Sequence, residues 1–478
     1  MIKPVRTRFA PSPTGFMHVG GVRTALFGWL LARQSGGQFI LRLEDTDQSR
    51  EVSGAGQHIM DSLRALSLEY DEGPDIGGPF GPYRQSERLD TYKQWAEKLV
   101  ANGRAYADPY TPEEVQTFRE QAQARKRPFL YRDHRPDQPP TWEYGKHALR
   151  FKSEPKSYHW LDAVMGDLSA GAEAIDDFIL VKRDGYPTYN FAHIIDDLLM
   201  QCTHVIRGQE FLASVPNYLN LYEALEIERP ILATMPHILG PDGKKKLSKR
   251  DGAKDVLDYL REGYLPEGLI NFIASLGWND GSQQEIFSVG ELIKKFSLER
   301  VQRSGAVFDD KRLTWMNGAH IRQLPIDKLF ELATDYWPPS AKDNNEDYRK
   351  QVLTVIQERL KYLAELPELC NFFFSDLPVD PELISNHKQL SKYSPEQLTS
   401  LLSDSRALLA NSSFTVEDLT ERLNDLLTKT GEKPAVLFSL IRIATTQAPS
   451  SPGLADTLAI LGKETSLRRI DQQLKALA

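Results

Sequence analysis

The sequence RFAPSPTG at residues 8–15, followed two residues later by HVGG at 18–21, marks the passage from a β-strand to an α-helix. Residues 5–10 predict a short strand, and the two prolines of RFAPSPTG end it because proline cannot donate to a sheet. From residue 19 to residue 34 the apolar side chains recur at helical spacing. The segment therefore predicts a strand, a loop and a helix that begins at a pair of glycines.

The same alternation continues along the chain. Residues 39–43 predict a second strand, so that a strand, a helix and a strand follow one another within about 40 residues. This pattern is typical of a parallel sheet, which binds nucleotides at the carboxyl ends of its strands. Strand-like runs return at 178–182, 204–207 and 231–235. Residues 85–187, which include a charged helix and a proline-rich stretch, interrupt the alternation and predict an inserted domain.

After about residue 250 the pattern becomes helical. Apolar residues recur at steps of three and four from Val352 to Leu363, from Val416 to Leu426 and from Ile470 to Leu477. Thr415 and Asp418 form a capping-box pattern ahead of the second run, and residues 336–345 predict a loop. The fold class predicted from the whole chain is α/β followed by all-α.

Composition limits the class of protein. The chain has 478 residues, of which 41% are apolar, and no run reaches the roughly 18–20 apolar residues of a membrane span. The N-terminus has no apolar core of a secretory signal. Cys202 and Cys370 are far apart, which is typical of a reducing compartment and too few for a cysteine-rich zinc site. We expect a soluble, cytoplasmic protein without a membrane partner.

The net charge of −8 argues against a uniformly basic nucleic-acid surface. Local basic patches remain compatible with a polyanionic partner. Residues 243–250, GKKKLSKR, carry five cationic side chains, and residues 125–135, RKRPFLYRDHR, combine cations with two aromatic rings. Composition alone does not separate these patches from ordinary solvated charge runs.

Two segments carry the chemistry of a phosphate site. Gly20 and Gly21 at the start of a helix allow a phosphate to approach the backbone N–H groups and the positive end of the helix dipole, and His18 can donate to the same phosphate. Lys246 and Lys249 lie on a second, glycine-flanked segment and suit a clamp that meets charge developing on a triphosphate. Each segment alone is weak evidence, whereas the ordered pair is much more specific.

The chain resembles the class I aminoacyl-tRNA synthetases of the glutamyl type. TRFAPSPTGFMHVGG at 7–21 is similar to their first signature and KLSKR at 246–250 to their second. Glycine stands at 21 where the wider class often has histidine, a departure common in the glutamyl enzymes. Further motifs follow in the expected order up to about residue 325: RLEDTD (42–47), GPYRQSERL (81–89), DGYPTYNFAHIIDD (184–197), THVIRGQEFL (203–212) and RLTWMNGAHI (312–321).

The resemblance implies an N-terminal Rossmann-type nucleotide-binding domain with an insertion, followed by a helical anticodon-binding part. The inserted domain would bind the acceptor end of the tRNA, and the region with the KLSKR segment would contact its stem. The implied bounds are 1–84 with 188–245 for the catalytic domain, 85–187 for the insertion, 246–325 for the stem-contact region and 326–478 for the anticodon-binding domain.

The resemblance also implies site residues. An arginine fork meets a carboxylate in bidentate fashion, so that Arg8 and Arg207 would bind the substrate side chain, and Glu44 would receive the substrate ammonium. The catalytic residues would be His18, Lys246 and Lys249. The residues implied to contact glutamate are Arg8, Ala10, Ser12, Glu44, Tyr189 and Arg207, and those implied to contact ATP are His18, Gly20, Gly21, Glu210, Leu239 and Lys249.

The implied reaction is activation of L-glutamate with ATP and Mg²⁺, followed by transfer to the terminal adenosine of the tRNA for glutamate. Such a reaction depends on positioning and charge stabilisation and needs no protein nucleophile. Some members of the family bind structural zinc through cysteines in the insertion. The corresponding stretch here, 104–110, has no cysteine, so we expect no zinc site and no other protein-bound metal.

Three other classes of protein share some of these features. Nucleotidyltransferases share an HxGH-type signature but lack the helical C-terminal half. A shortened paralogue that modifies a tRNA base lacks an anticodon-binding part. A non-catalytic tRNA-binding scaffold would be expected to lose His18, Glu44 or Lys249, and all three are present.

The choice of tRNA stays open. Members of the family charge the tRNA for glutamate alone or also load glutamate onto the tRNA for glutamine. Arg359 falls near the position at which discriminating members carry an arginine that reads the last anticodon base. We therefore expect discrimination. Separately, we expect a monomer.

Overall fold

The computed structural model describes residues 4–248 and 254–477. The chain forms two compact units, the first comprising residues up to 260 together with 269–310, and the second comprising 261–268 together with the chain from 311 onwards. The finer division into catalytic, inserted and stem-contact domains stays a prediction.

In chain order, the elements up to residue 307 are β1 (Arg6–Phe9), α1 (Val19–Gln34), β2 (Gln38–Leu41), α2 (Ala55–Ala65), α3 (Leu89–Ala101), β3 (Ala105–Ala107), α4 (Pro112–Ala124), β4 (Leu149–Phe151), β5 (Tyr158–Asp162), β6 (Gly166–Ala170), β7 (Ile179–Val181), α5 (Tyr189–Leu199), β8 (His204–Gly208), α6 (Val215–Ala224), β9 (Ile231–Met235), β10 (Ile238–Leu239), α7 (Val256–Arg261), α8 (Pro266–Ser275), α9 (Val289–Lys295) and β11 (Ala306–Val307).

The remaining elements are helices: α10 (Asp310–Gln323), α11 (Ile326–Leu332), α12 (Glu346–Ile356), α13 (Leu366–Phe374), α14 (Glu382–Ser385), α15 (Pro395–Ala410), α16 (Val416–Thr430), α17 (Pro434–Thr446), α18 (Leu454–Leu461) and α19 (Lys463–Leu477).

The first unit is built on parallel strand pairs, as predicted. β1 pairs with β2 across the crossover helix α1, β8 pairs with β9, and β10 pairs with β11. All four residues of β1 are buried, which is typical of parallel strands that are covered on both faces. A main-chain hydrogen bond of 2.9 Å from Thr203 N to Arg6 O joins the chain just before β8 to β1. The carboxyl ends of β1, β2 and β8 therefore meet on one side.

The inserted region has antiparallel strands. β3, β4 and β7 form one sheet, and β5 and β6 form a hairpin. The strand predicted at 178–182 thus pairs with the insertion rather than with the parallel strands. Residues of the insertion such as Leu149 and Phe151 share one apolar cluster with Phe191 of α5 and Leu221 of α6. Because this core is continuous, the insertion and the helices around β8 form one compact unit.

The second unit is helical, as predicted, and its leucine-rich stripes are buried in two apolar clusters. α12 ends at Ile356, whereas the apolar spacing predicted a helix that continues to Leu363. Leu360 and Leu363 are buried outside that helix, since the spacing reports burial and not helical continuity. The loop predicted at 336–345 contains a 3₁₀ turn at Pro339–Ala341.

The helix α16 begins where the capping pattern predicted. The Thr415 side chain accepts a hydrogen bond from Asp418 N at 3.3 Å. The Asp418 carboxylate does not return to Thr415 but accepts from Ser412 Oγ at 2.5 Å and from Ser413 N at 2.8 Å. Only one half of the capping box is therefore formed, because the Asp418 carboxylate bonds to the preceding turn instead of to the backbone of Thr415.

Candidate active site

A cleft of about 1060 Å³ opens at the carboxyl ends of the parallel strands of the first unit. It is lined by residues 8–11 at the end of β1, by Glu44 beyond β2, by residues 206–208 and 210–211 at the end of β8, and by 235–238 after β9. Ligands of parallel α/β sheets bind at this edge because strand ends and helix N-termini converge there. The cleft is the place where the sequence predicts the nucleotide site.

The floor of the cleft is a buried network of charges. Arg8 Nε lies 3.0 Å from Asp197 Oδ1 and Arg8 Nη2 lies 3.3 Å from Asp197 Oδ2, so that this pair is bidentate. Arg42 Nη1 lies 2.8 Å from Asp197 Oδ1, and Arg42 Nη2 lies 2.8 Å from Glu44 Oε1. Burial acts to raise the pKa of Asp197, but Arg8 and Arg42 together hold that pKa below its usual range. The carboxylate of Asp197 is therefore ionised and fixes both arginines.

Only one of the two carboxylate oxygens of Glu44 accepts a hydrogen bond from the described residues. Its Oε1 accepts from Arg42, while Oε2 is buried without a hydrogen-bond partner among the described residues. Burial raises the pKa of the Glu44 carboxyl to about 7, against the opposing effect of Arg42 and Arg8. A buried, unpaired carboxylate oxygen is costly, so that Glu44 can accept a cationic hydrogen-bond donor with a large gain.

Arg207 differs from Arg8 in having no acidic partner in the part of the chain that the structure describes. Its side chain is 5% exposed, and no carboxylate of the described residues lies within ion-pair distance. Its guanidinium lies 4.8 Å from the centre of the Tyr218 ring and 5.7 Å from that of Phe211. Such a cation, packed between rings but not neutralised by an acid, is suited to an anionic ligand.

His193 connects Arg207 with Tyr189. Its Nδ1 lies 2.7 Å from the Tyr189 carbonyl oxygen, which can only accept, so Nδ1 carries the proton. Its Nε2 is then the acceptor for Arg207 Nη1 at 3.5 Å. The Tyr189 and His193 rings stack with centroids 4.7 Å apart. Burial and then Arg207 lower the pKa of His193 to about 3, so the ring stays neutral.

The other side of the cleft is open to solvent. His18 caps α1, since its Nδ1 accepts a hydrogen bond from Gly20 N at 3.1 Å. The sequence predicted that the two glycines let a phosphate approach the backbone N–H groups at the start of this helix; of these groups, the Gly20 N–H donates to the His18 cap. The same bond leaves Nδ1 unprotonated and places the proton of a neutral ring on Nε2.

Acidic and basic groups meet on this open side. Glu210 Oε1 lies 3.3 Å from Lys246 Nζ, and Glu210 Oε2 lies 3.9 Å from His237 Nδ1. Burial acts to raise the pKa of Glu210, but backbone hydrogen bonding and Lys246 lower it. Arg23 is buried behind them; burial lowers its pKa to about 10, and its side chain donates to the carbonyl oxygens of Pro236 and Leu276.

Most of the predicted site residues line this one cleft. Leu239 is not part of its lining but pairs through its backbone with Lys246. Lys249 lies outside the described residues. Arg359 belongs to the second unit, where its Nη1 donates to Ser451 O at 2.6 Å. The predicted residues that line the cleft are Arg8, Ala10, Ser12, His18, Gly20, Gly21, Glu44, Tyr189, Arg207, Glu210 and Lys246.

Sequence reasoning did not single out Arg42, Asp197 or His193. A signal was present in the run HIIDD at 193–197, where a histidine and two acids stand in an otherwise apolar helix. Charged groups in such a helix are buried only when they are paired. The sequence did not indicate that Asp197 of this run is the acid that pairs with Arg8.

Neither a metal cluster nor a membrane span is found in the described part of the chain. Across residues 4–248 and 254–477, no three His, Cys, Asp or Glu side chains are grouped so as to hold a metal ion. None of the described helices is both long enough and apolar enough to cross a bilayer.

Comparison with known proteins agrees with this geometry. Residues 4–315 match the catalytic domain of the class I tRNA synthetases (E and Q), and residues 328–474 match an anticodon binding domain. The chain is 41% identical to the glutamate–tRNA ligase of Dehalococcoides mccartyi, over 100% of this chain and 99% of the relative. It is 42% identical to that of Clostridium botulinum over 100% of both chains.

Solved structures give the same result. A glutamate tRNA ligase from Elizabethkingia meningosepticum, crystallised in complex with its amino acid, has a TM-score of 0.87 and 33% identity over 100% of both chains. A glutamate–tRNA synthetase from Elizabethkingia anophelis has a TM-score of 0.84 and 32% identity over 99% of this chain and 100% of its own. The chain therefore belongs to the glutamate–tRNA ligases of the class I tRNA synthetase family.

Proposed function

We propose that the chain activates L-glutamate with ATP as glutamyl-adenylate and then transfers the glutamyl group to the terminal adenosine of a tRNA. The observation that carries this proposal is that one cleft contains both a buried arginine and a buried carboxylate oxygen that have no acid and no donor, respectively, among the residues the structure describes. Arg207 and Glu44 Oε2 are complementary to a ligand that has an anionic side chain and an ammonium group.

The substrate side chain would bind between Arg207 and Arg8. Arg207 is the stronger anchor, because Arg8 already directs Nε and Nη2 to Asp197 and Nη1 to Ile206 O at 3.3 Å. The neutral His193 supports this arrangement, since its Nε2 accepts from Arg207 and orients the guanidinium. Tyr189 and Ser12, which also line the cleft, supply hydroxyl groups to the same ligand.

ATP would lie on the open side, over the HVGG turn at 18–21. The α-carboxylate of glutamate attacks the α-phosphorus and pyrophosphate leaves, so the chain has only to position the reactants and stabilise charge. The proton on His18 Nε2 suits donation to a phosphate oxygen, and Lys246 and Lys249 supply positive charge as pyrophosphate separates. Mg²⁺ that enters with ATP contributes further neutralisation of that charge.

The decisive experiment is ATP–pyrophosphate exchange with each amino acid in turn, followed by charging of tRNA. We expect exchange that depends on glutamate and not on glutamine, and a stable glutamyl ester on the tRNA. Pyrophosphate exchange that does not depend on glutamate, or that occurs without any transfer to tRNA, would contradict the proposal. A glutamyl group attached to a tRNA base instead of to the terminal adenosine would point to a shortened base-modifying paralogue, which the match to an anticodon binding domain at 328–474 disfavours.

We further propose that the tRNA for glutamate is the cognate partner and that the tRNA for glutamine is rejected. Arg359 supports this, because its guanidinium lies beside the half-buried Arg442 and both bond to Ser451, which concentrates positive charge in the helical unit. Charging of the two purified tRNAs by wild type and by Arg359→Gln tests it. Equal charging of both tRNAs by the wild type would contradict it.

We also propose a cytoplasmic monomer that needs no zinc. The absence of cysteine at 104–110 supports the last point, and Cys202 and Cys370 are each buried as single thiols. Metal analysis of the purified protein should give no stoichiometric zinc, and activity should survive a zinc-selective chelator but not removal of Mg²⁺. One zinc per chain would refute this expectation.

A further inference from the structure

A close pair of side chains lies beside the cleft without lining it. His58 of α2 and Asp255 at the start of α7 place Nε2 and Oδ2 2.6 Å apart. The two side chains are only 14% and 15% exposed. A partly buried imidazole and carboxylate at this distance form a charge-assisted hydrogen bond, which is stronger and more directional than a surface ion pair.

Asp255 is attached to the HVGG turn through its backbone. Asp255 and His18 form an antiparallel β-bridge, and Val256 N donates to Met17 O at 3.1 Å. The second carboxylate oxygen, Asp255 Oδ1, accepts from Leu257 N at 3.0 Å at the first turn of α7. One carboxylate therefore both begins α7 and holds His58.

His58 also contacts the part of the first signature that precedes the HVGG turn. Its ring lies 4.7 Å from the ring of Phe16, which stands two residues before His18 and is 53% exposed. The backbone carbonyl of His58 accepts from Ser62 Oγ at 2.7 Å within α2. His58 thus contacts both the segment that leads into the HVGG turn and Asp255, five residues beyond the KLSKR segment.

We propose that His58 and Asp255 are a positioning pair for adenylate formation, which holds the chain downstream of KLSKR against the HVGG turn without touching a substrate. Ser248 lines the cleft and Asp255 is bridged to His18, so that the residues on both sides of 249–253 border the ATP side. A cation that meets developing charge is sensitive to placement, and an error of about 1 Å can cost about 10²-fold in rate. The inference rests on the proposed function, because it assigns the pair to the ATP step.

The variants His58→Ala and Lys249→Ala and their double mutant, assayed by glutamate-dependent pyrophosphate exchange, test the pair. We expect His58→Ala to lower kcat by about 10- to 100-fold with the KM for glutamate unchanged, because the glutamate pocket is intact. In the Lys249→Ala background, His58→Ala should lower kcat little further, because His58 acts through the segment that carries Lys249. Gln57→Ala, an exposed neighbour on α2, is the matched control and should behave as wild type.

If the His58–Asp255 pair only stabilised the fold, the same experiments would give different results. Equal losses from His58→Ala in the wild-type and Lys249→Ala backgrounds, or a rise in the KM for glutamate, would overturn the proposal. If His58→Ala lowers the Tm, Asp255→Ser replaces it, because serine still caps α7 but cannot reach His58. His58→Gln, which keeps a donor, should recover most of the rate. Wild-type exchange measured in parallel separates failure of this inference from failure of the proposed function.

Discussion

The two sides of the cleft are built differently. On the glutamate side, Arg8, Glu44 and Arg207 are 4%, 3% and 5% exposed and are held by Arg42, Asp197 and His193. On the ATP side, His18 and Lys246 are exposed. A buried, prearranged side discriminates between ligands because an unmatched polar group there cannot be solvated. An exposed side cannot discriminate in this way, and we expect it to act chiefly on the rate as charge develops.

The largest effect is expected from Arg207→Gln. The change removes the buried cation without an acidic partner, and we expect kcat/KM for glutamate to fall by about 10³-fold, chiefly through KM. The preference for glutamate over glutamine, which a paired polar site can raise to about 10⁴, should collapse. Arg207→Lys should also be poor, since one ammonium cannot reproduce the fork. Measurement of kcat/KM with both amino acids checks this. An unchanged ratio of the two values would refute the assignment of Arg207 to the glutamate pocket.

A smaller effect of a different kind is expected from Lys246→Ala. Loss of one interaction made as charge develops typically costs about 10²–10³-fold in rate, and partial compensation by Lys249 places Lys246 at the lower end. The KM for glutamate should not change, because Lys246 contacts Glu210 and none of the residues of the glutamate side. Steady-state exchange kinetics at varied glutamate and ATP measure this. A rise in the KM for glutamate would show that the two sides are not separate.

The smallest effect is expected from pH and concerns Glu44. Burial raises the pKa of its carboxyl to about 7, so that the group is neutral below that pH and loses its attraction for the substrate ammonium. The KM for glutamate should then rise by about tenfold for each pH unit below 7, while the KM for ATP stays flat. Glu44→Gln should have a high KM with no such slope. A wild-type KM that is constant from pH 6 to 8 would contradict the assignment.

Local features of this fold were predictable from the sequence. The helix at 19–34 has the predicted bounds, because apolar periodicity and two glycines at its start agree there. Strands were placed to within one or two residues at β1, β2 and β9. The early end of α12 at Ile356 was missed, since buried residues in a following turn can continue a helical spacing by coincidence.

The sequence predicted which residues belong to the candidate site but not how their side chains are paired. Motif resemblance named eleven residues that line the cleft, but not which acid neutralises which arginine. Arg8 pairs with Asp197 across 189 positions, and no local pattern encodes such a contact. The capping bond from Gly20 to His18 was missed for a different reason, since a histidine before a helix is seldom read as its cap.

The distance along the chain between Arg8 and Asp197 has a consequence for synthesis on the ribosome. Arg8 and Arg42 emerge early, whereas the carboxylate that neutralises both emerges only after residue 197. At roughly 5–20 residues per second, that interval lasts about 10–40 s. β1 cannot bury Arg8 during this time, because an unpaired guanidinium group is too costly to desolvate, whereas Arg42 can already pair with Glu44. The N-terminal signature is therefore completed only after α5 and β8 have left the exit tunnel.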